Sequence, residues 1–118
     1  MENKAEKHVI IDRFTVPEAA MQDFRVRIKL SMQIIEKQAG FVDHRAYEQI
    51  DHNEQSTYIT IVAWESREDL EKSMPCVQAE YERLSFDPTR TMESLHIALD
   101  RGIYTEVKNE QAAENILR

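Results

Sequence analysis

The sequence holds one cysteine, two glycines and one tryptophan, and its longest apolar run is Ile61 to Trp64. A lone cysteine, Cys76, excludes an internal disulfide and a cysteine cluster for zinc or iron–sulfur. Two glycines, Gly40 and Gly102, exclude a Gly-rich phosphate loop and a G-x-G-x-x-G dinucleotide turn. A four-residue apolar run is far too short to span a bilayer. The first residues, MENKAEKH, lack the apolar stretch of a secretory signal, so the cytoplasm is the expected compartment. Positive charge is also in deficit. There are 22 Asp and Glu residues against 15 Lys and Arg, a net charge of −7. A basic face for nucleic acid or an anionic membrane is therefore not expected.

What is present suits one globular domain. A chain of 118 residues falls within the usual domain range of roughly 100–200. It can bury about two thirds of its unfolded surface. The expected domain is residues 8–105, flanked by tails at 1–7 and 106–118. His8 to Val16 (HVIIDRFTV) is rich in β-branched residues and reads as a first strand. Pro17 suits the first turn of a helix. From there to Gln38, Met21, Phe24, Ile28, Met32 and Ile35 form one stripe at helical spacing. Gly40 ends that helix. A second strand follows over Phe41–Ile50, then a polar hairpin turn at Asp51–Glu54. The third strand, Ser56–Trp64, is the most β-prone stretch of the chain.

Ser66 is a candidate N-cap, with Asp69 three residues on in a variant capping box. Leu70, Met74, Val77, Tyr81 and Leu84 continue a helical stripe. Pro75 interrupts it, predicting two helical pieces meeting near Ser73. Asp87-Pro88 reads as a turn and Glu93–Thr105 as a fourth strand. Val107–Arg118 reads as a short, weak helix. The order is β-α-β-β-α-β, the ferredoxin-like α+β arrangement of a four-stranded antiparallel sheet with two helices on one face. Strands one and three are apolar on both faces: Val9 and Ile11 against Ile10 and Phe14; Ile59 and Ile61 against Tyr58, Val62 and Trp64. The helices cover one face only, so a second copy of the chain is expected on the other, as a homodimer.

Several residues carry possible chemistry. Asp12 is a carboxylate among Ile10, Ile11 and Phe14, where it must be paired or face a polar pocket. It is either an ion pair, with Arg13 of another subunit or a nearby basic side chain, or a base of raised pKa facing a cavity. Trp64 is either a core aromatic or a pocket wall with an N–H available to a ligand. His44 and His96 are read in strands, as half-buried hydrogen-bonded histidines or as groups reaching a pocket. His52 reads as a solvated turn residue and Cys76 as an inert, packed thiol. Arg45, Tyr47 and Tyr58 are secondary candidates. The histidines lack metal-site spacing and no H-E-x-x-H occurs, so no metal and no cofactor is expected.

Strand one running into Val16-Pro17, the junction Ala39-Gly40-Phe41-Val42, and Ala63-Trp64-Glu65-Ser66-Arg67-Glu68 together resemble the antibiotic-biosynthesis monooxygenase family, over roughly His8 to Tyr104. Ala39 stands where that family usually has proline. The resemblance implies a dimeric α/β barrel whose subunits each enclose a pocket between sheet and helices. It also implies oxygenase chemistry without metal or flavin, in which a deprotonated phenol or anthrone reacts with O₂ itself. The protein then supplies a dry pocket, a base and oxyanion donors. The haem-degrading branch of that family is disfavoured, because Asp12, Ser73 and Arg83 replace its asparagine, tryptophan and iron-ligating histidine. The expected activity is thus monooxygenation of a small aromatic molecule of phenol or quinol type. Asp12 or His44 is the expected base, Trp64 the wall and donor, and Tyr58 and His96 further ligand contacts. The alternative is a non-catalytic dimeric protein of the same fold, which binds a small ligand or serves in a stress response.

Overall fold

A computed structural model describes residues 6–50 and 53–107. His52 and the expected C-terminal helix from residue 108 onward lie outside the described residues. Four strands, β1 (His8–Pro17), β2 (Phe41–Glu48), β3 (Gln55–Trp64) and β4 (Ala98–Thr105), pair in the order β2-β3-β1-β4. The pairs β1–β3, β1–β4 and β2–β3 are all antiparallel. Helices α1 (Met21–Ile35), α2 (Arg67–Arg83) and α3 (Pro88–Ser94) complete the fold. None is long and apolar enough to cross a membrane.

The ferredoxin-like order expected from the sequence is the order observed. Three details depart from it. The first helix begins as a short 3-10 turn at Glu18–Ala20, because β1 runs on through Pro17. Its stripe is as read, with Met21 and Phe24 buried. Next, α2 is continuous through Pro75. Proline there deprives one carbonyl of its donor, but Pro75 stands on the exposed side, where water can take that place. The N-cap is as expected: the Asp69 N–H donates to Ser66 Oγ at 3.1 Å, and the Ser66 hydroxyl donates to the Asp69 carboxylate at 3.0 Å.

The third departure is α3, which replaces the turn and the first part of the expected fourth strand. Asp87 is its N-cap, accepting from the Arg90 N–H at 3.1 Å, and Pro88 occupies the first helical position. Both α2 and α3 end in the same left-handed turn. Ser85 (φ 55°) and His96 (φ 59°) take the conformation that glycine usually supplies. The Phe86 N–H returns to the Tyr81 carbonyl, and the Ile97 N–H to that of Met92, both at 2.8 Å. In a chain so poor in glycine, side-chain packing across the turn (Tyr81 edge-on to Phe86 at 5.3 Å) helps offset the strain.

The helix-facing side of the sheet carries two separate apolar clusters. Phe14, Val16, Ala20, Met21, Phe24 and Ile97 form one. Val62, Trp64 and Leu70 form the other, with Ile10, Met32, Ile35 and Phe41 packed against them. The opposite side presents Val9, Ile11, Ile59, Ile61 and Ala63 half-buried, with Tyr47 and Tyr104 exposed beside them.

Candidate functional site

The two clusters are separated by a polar seam. In the strand register Ala46 lies opposite Thr60, Thr60 opposite Asp12, and Asp12 opposite Arg101. This is one row crossing all four strands. On one side of it lies the row of Tyr58, Phe14 and Leu99; on the other, that of Val62, Ile10 and Ile103. Small and polar side chains cannot fill the space that Phe or Leu would, so α1 stands over a gap at this row. The gap is a cavity of about 330 Å³. Its wall includes Asp12, Thr60 and Arg101 from the sheet and Ile28, Ser31, Met32 and Ile35 from α1. Gln78 and Tyr81 of α2, Phe86, and Met92 and Leu95 from the α3 region close it.

Asp12 and Arg101 meet as a fork. Arg101 Nε donates to Asp12 Oδ1 at 2.7 Å and Nη2 to Oδ2 at 2.8 Å. The hydrogen bond to Asp12 raises the Arg101 guanidinium above its ordinary pKa, against the opposing effect of burial; the charge of Asp12 and that of Tyr81 add to the rise. Burial in the pair is unequal: 9% of the Asp12 side chain is accessible, against 47% of that of Arg101. The carboxylate is thus the inner member and the guanidinium the outer. Thr60 and Ser31 are 2% and 8% exposed, and no hydrogen bond engages their hydroxyls among the described residues.

A second cavity of about 470 Å³ lies on the β2 side of α1, sharing Ile28, Met32 and Thr60 with the first. Arg25, Lys29, Gln33, Glu36, His44 and Tyr58 line it. Arg25 is held by Glu48 through two hydrogen bonds, at 3.1 and 2.6 Å. His44 Nδ1 lies 3.6 Å from Glu36 Oε2. Burial pushes the Tyr58 phenol up, reinforced by the charge of Glu48 and opposed by Arg25.

The residues singled out in the sequence therefore scatter. Asp12 lines the first cavity, His44 and Tyr58 the second. Asp12 is a paired carboxylate, and its partner is Arg101 of its own chain. Arg13 pairs instead with Asp100 on the surface, at 3.3 Å. Trp64 shares a face with Asp12, but lies four residues beyond Thr60 along β3, ~13 Å away. It is 2% exposed, lines neither cavity, and its indole N–H meets no acceptor among the described residues.

His96 is not in a strand: it is exposed, in the left-handed turn before β4, and lines neither cavity. Cys76 is exposed, not packed. Among the described residues no three His, Cys, Asp or Glu side chains gather as metal ligands would. Arg101 was missed in the sequence. A charged residue on the fourth strand is ordinary there, and only the register sets it opposite Asp12.

The two sequence junctions that carry the family resemblance meet in space. The Glu65 N–H donates to the Gly40 carbonyl at 2.8 Å, and Phe41 stands edge-on to Trp64 at 6.1 Å. Gly40 has φ 87°, and a Cβ there would collide with the Asp69 side chain.

The sequence model of the antibiotic biosynthesis monooxygenase family matches residues 8–74. Among solved structures the chain is similar to SnoaB, a cofactor-independent oxygenase from Streptomyces nogalater. Identity is 22%, coverage 88% of this chain and 96% of that one, and the TM-score 0.67. It is also similar to a dimeric ferredoxin-like protein from an uncultured marine organism, at 8% identity, 87% and 97% coverage and TM-score 0.65. A conserved protein from Methanosarcina mazei Go1 gives 17% identity, 86% and 94% coverage and TM-score 0.62. No curated protein matches the chain.

Proposed function

The chain belongs to the antibiotic biosynthesis monooxygenase family, and from that premise we propose that it is a cofactor-independent oxygenase acting on a small aromatic molecule of phenol or quinol type. The observation that carries this reading is the cavity at the seam, lined by apolar and polar side chains together, with a buried carboxylate paired to a half-open guanidinium in its wall. Such chambers are the usual form of small-molecule sites. The reaction balances without a resident redox group. A proton leaves an acidified substrate carbon, and its electron pair forms the bond to O₂. Loss of water from the resulting hydroperoxide leaves one oxygen atom as a ketone. The protein's part is to exclude water, accept the proton and hold the developing oxyanion. In this reading Asp12 accepts the proton, and Arg101 hydrogen-bonds the oxyanion. Trp64 supports the wall from behind, through the cluster on which Met32 and Ile35 pack.

The test is oxygen uptake by the purified protein with a panel of reduced quinols and anthrones. The expected result is uptake that Asp12→Asn abolishes while ligand binding survives. Unchanged uptake in a folded Asp12→Asn protein would remove Asp12 and leave His44, in the adjoining cavity, as the base. A second reading, a non-catalytic binding protein, is favoured by one observation: both Asp12 oxygens already accept from Arg101. Ligand binding with no uptake across the panel decides for it.

The same proposal includes a cytoplasmic homodimer joined through the sheet face that the helices leave open. The half-buried Val9, Ile11, Ile59 and Ile61 support it. Sedimentation equilibrium should give twice the 13.9 kDa chain mass.

A further inference from the structure

We propose that Arg101, clamped by Asp12 in a cavity that Thr60 and Ser31 also line, is an anchor for a carboxylate, so that the cavity takes small aromatic acids. This rests on the reading that the seam cavity holds the ligand, and it names the ligand's polar group.

The argument starts from the donors of one guanidinium. Arginine has five N–H groups and no acceptor. Asp12 takes the edge formed by Nε and Nη2. The other edge, Nη1 and the second hydrogen of Nη2, offers two parallel N–H groups, the fork that matches a carboxylate. Asp12 carries the same charge as the ligand's carboxylate and so cannot be its anchor. It is the inner, nearly inaccessible member of the pair, while about half of the Arg101 side chain is open. Its effect is to fix the guanidinium plane, so that little side-chain freedom is left to lose when a ligand arrives.

The neighbouring charges of the same cavity have other contacts, though none gives Arg27 the two-point clamp that Asp12 gives Arg101. Asp87 caps α3, and Arg27 Nε donates to Asp23 at 2.8 Å with its guanidinium over the Phe86 ring. Two buried hydroxyls complete the polar patch. Thr60 and Ser31 line the cavity from the sheet and from α1, and neither is spent on a protein partner among the described residues. Their oxygens are not sealed off as Ser56 Oγ and Trp64 Nε1 are, so both hydroxyls remain open from the cavity to a ligand oxygen. The rest of the wall, with Ile28, Met32 and Phe14, suits an aromatic ring. A volume of about 330 Å³ is at the small end of ligand sites, fitting one or two rings.

The experiment is an NMR titration of the protein with benzoate and with benzamide, its neutral near-isostere. Benzoate should shift the amides of Asp12, Thr60 and Arg101, and bind about tenfold or more tightly than benzamide. Arg101→Lys keeps the charge but loses the fork, and should weaken benzoate about tenfold. Because Arg101→Gln alone strands a buried carboxylate, the double variant Asp12→Asn with Arg101→Gln is the safer control. It should bind benzoate and benzamide alike. Four results would overturn the proposal: no benzoate binding, equal binding of the two probes, a preference retained in the double variant, or shifts that map to His44 and Lys29. Oxygen uptake is measured separately, so a protein that binds benzoate through Arg101 yet consumes no oxygen sinks the oxygenase reading alone.

Discussion

The corner at Trp64 and the seam at Asp12 lie on the same face of the same two strands, and they are built oppositely. At the corner, Trp64, Val62 and Leu70 are buried, Phe41 stacks edge-on, and Gly40 leaves no room for a Cβ beside Asp69. Even the cost of an indole N–H without an acceptor, about 1–3 kcal/mol, is tolerated there. At the seam, Asp12, Thr60 and Ser31 are just as inaccessible, yet they border empty space. Burial alone therefore does not mark a functional residue. The corner holds the chain's most family-like residues because the fold needs them to join two strand–helix junctions. The seam holds the residues with chemistry to offer, because packing is incomplete there and polar groups converge.

The largest expected effect lies at the corner. Trp64→Ala should cost about 3–5 kcal/mol in denaturant unfolding, and a folded remnant should still bind aromatic ligands. Loss of binding at unchanged stability would reverse the contrast and return Trp64 to the cavity wall.

The seam predicts a different pattern. Arg101→Gln leaves the Asp12 carboxylate buried without its partner and should cost about 1–3 kcal/mol; the half-open guanidinium keeps this below the cost of a fully buried pair. Adding Asp12→Asn should recover much of it. A double variant as unstable as the single one would mean that the pair is structural rather than placed for a ligand.

Overfilling separates the two regions further. Leu70→Phe adds volume to a closed corner and should destabilise by about 1–3 kcal/mol. Ser31→Met adds volume beside a cavity. It should change stability by less than about 1 kcal/mol while blocking ligands, checked by parallel thermal melts and NMR titrations.

The smallest effect concerns the second cavity. Burial raises the Tyr58 phenol above its ordinary 10.0. The native state then holds its proton more tightly than the unfolded chain does. The associated stability is constant below pH 10, and falls as pH rises through the folded pKa. Tyr58→Phe should flatten that alkaline loss slightly and remove a late-titrating phenol from a spectrophotometric titration. An alkaline titration that Tyr58→Phe leaves unchanged above pH 10 would show that Tyr58 is open to water.

Much of the fold was legible because its signals are local. Ser66 with Asp69, the stripe from Met21 to Ile35, and Gly40 each act over one or two turns. The α3 helix also has a local signal, Asp87 as cap and Pro88 at the first position, but the same pair is equally a turn signal. The turn at His96 has no local signal, because its left-handed role is usually glycine's. Pro75 predicts a break because proline's cost is averaged over sites, whereas here it stands on the solvent side of a continuous helix.

The sequence by itself determined the order of the four strands and the two longer helices, the two-faced sheet and the burial of Asp12, since period and capping are properties of neighbouring residues. Which residues meet was decided only by the tertiary structure. Asp12 and Arg101 are 89 positions apart, and no local pattern links them. The register of three strand pairs puts Thr60, Asp12 and Arg101 in one row. An irregularity between Phe41 and Asp43 shifts the phase of β2 and sets His44 on the same face, opposite Val62 rather than Ile61. A strand slipped by one residue would turn every side chain to the other face. The site exists because hydrogen-bonded pairing fixes that register and because helix α1, packed on the clusters at either end, cannot collapse into the gap between them.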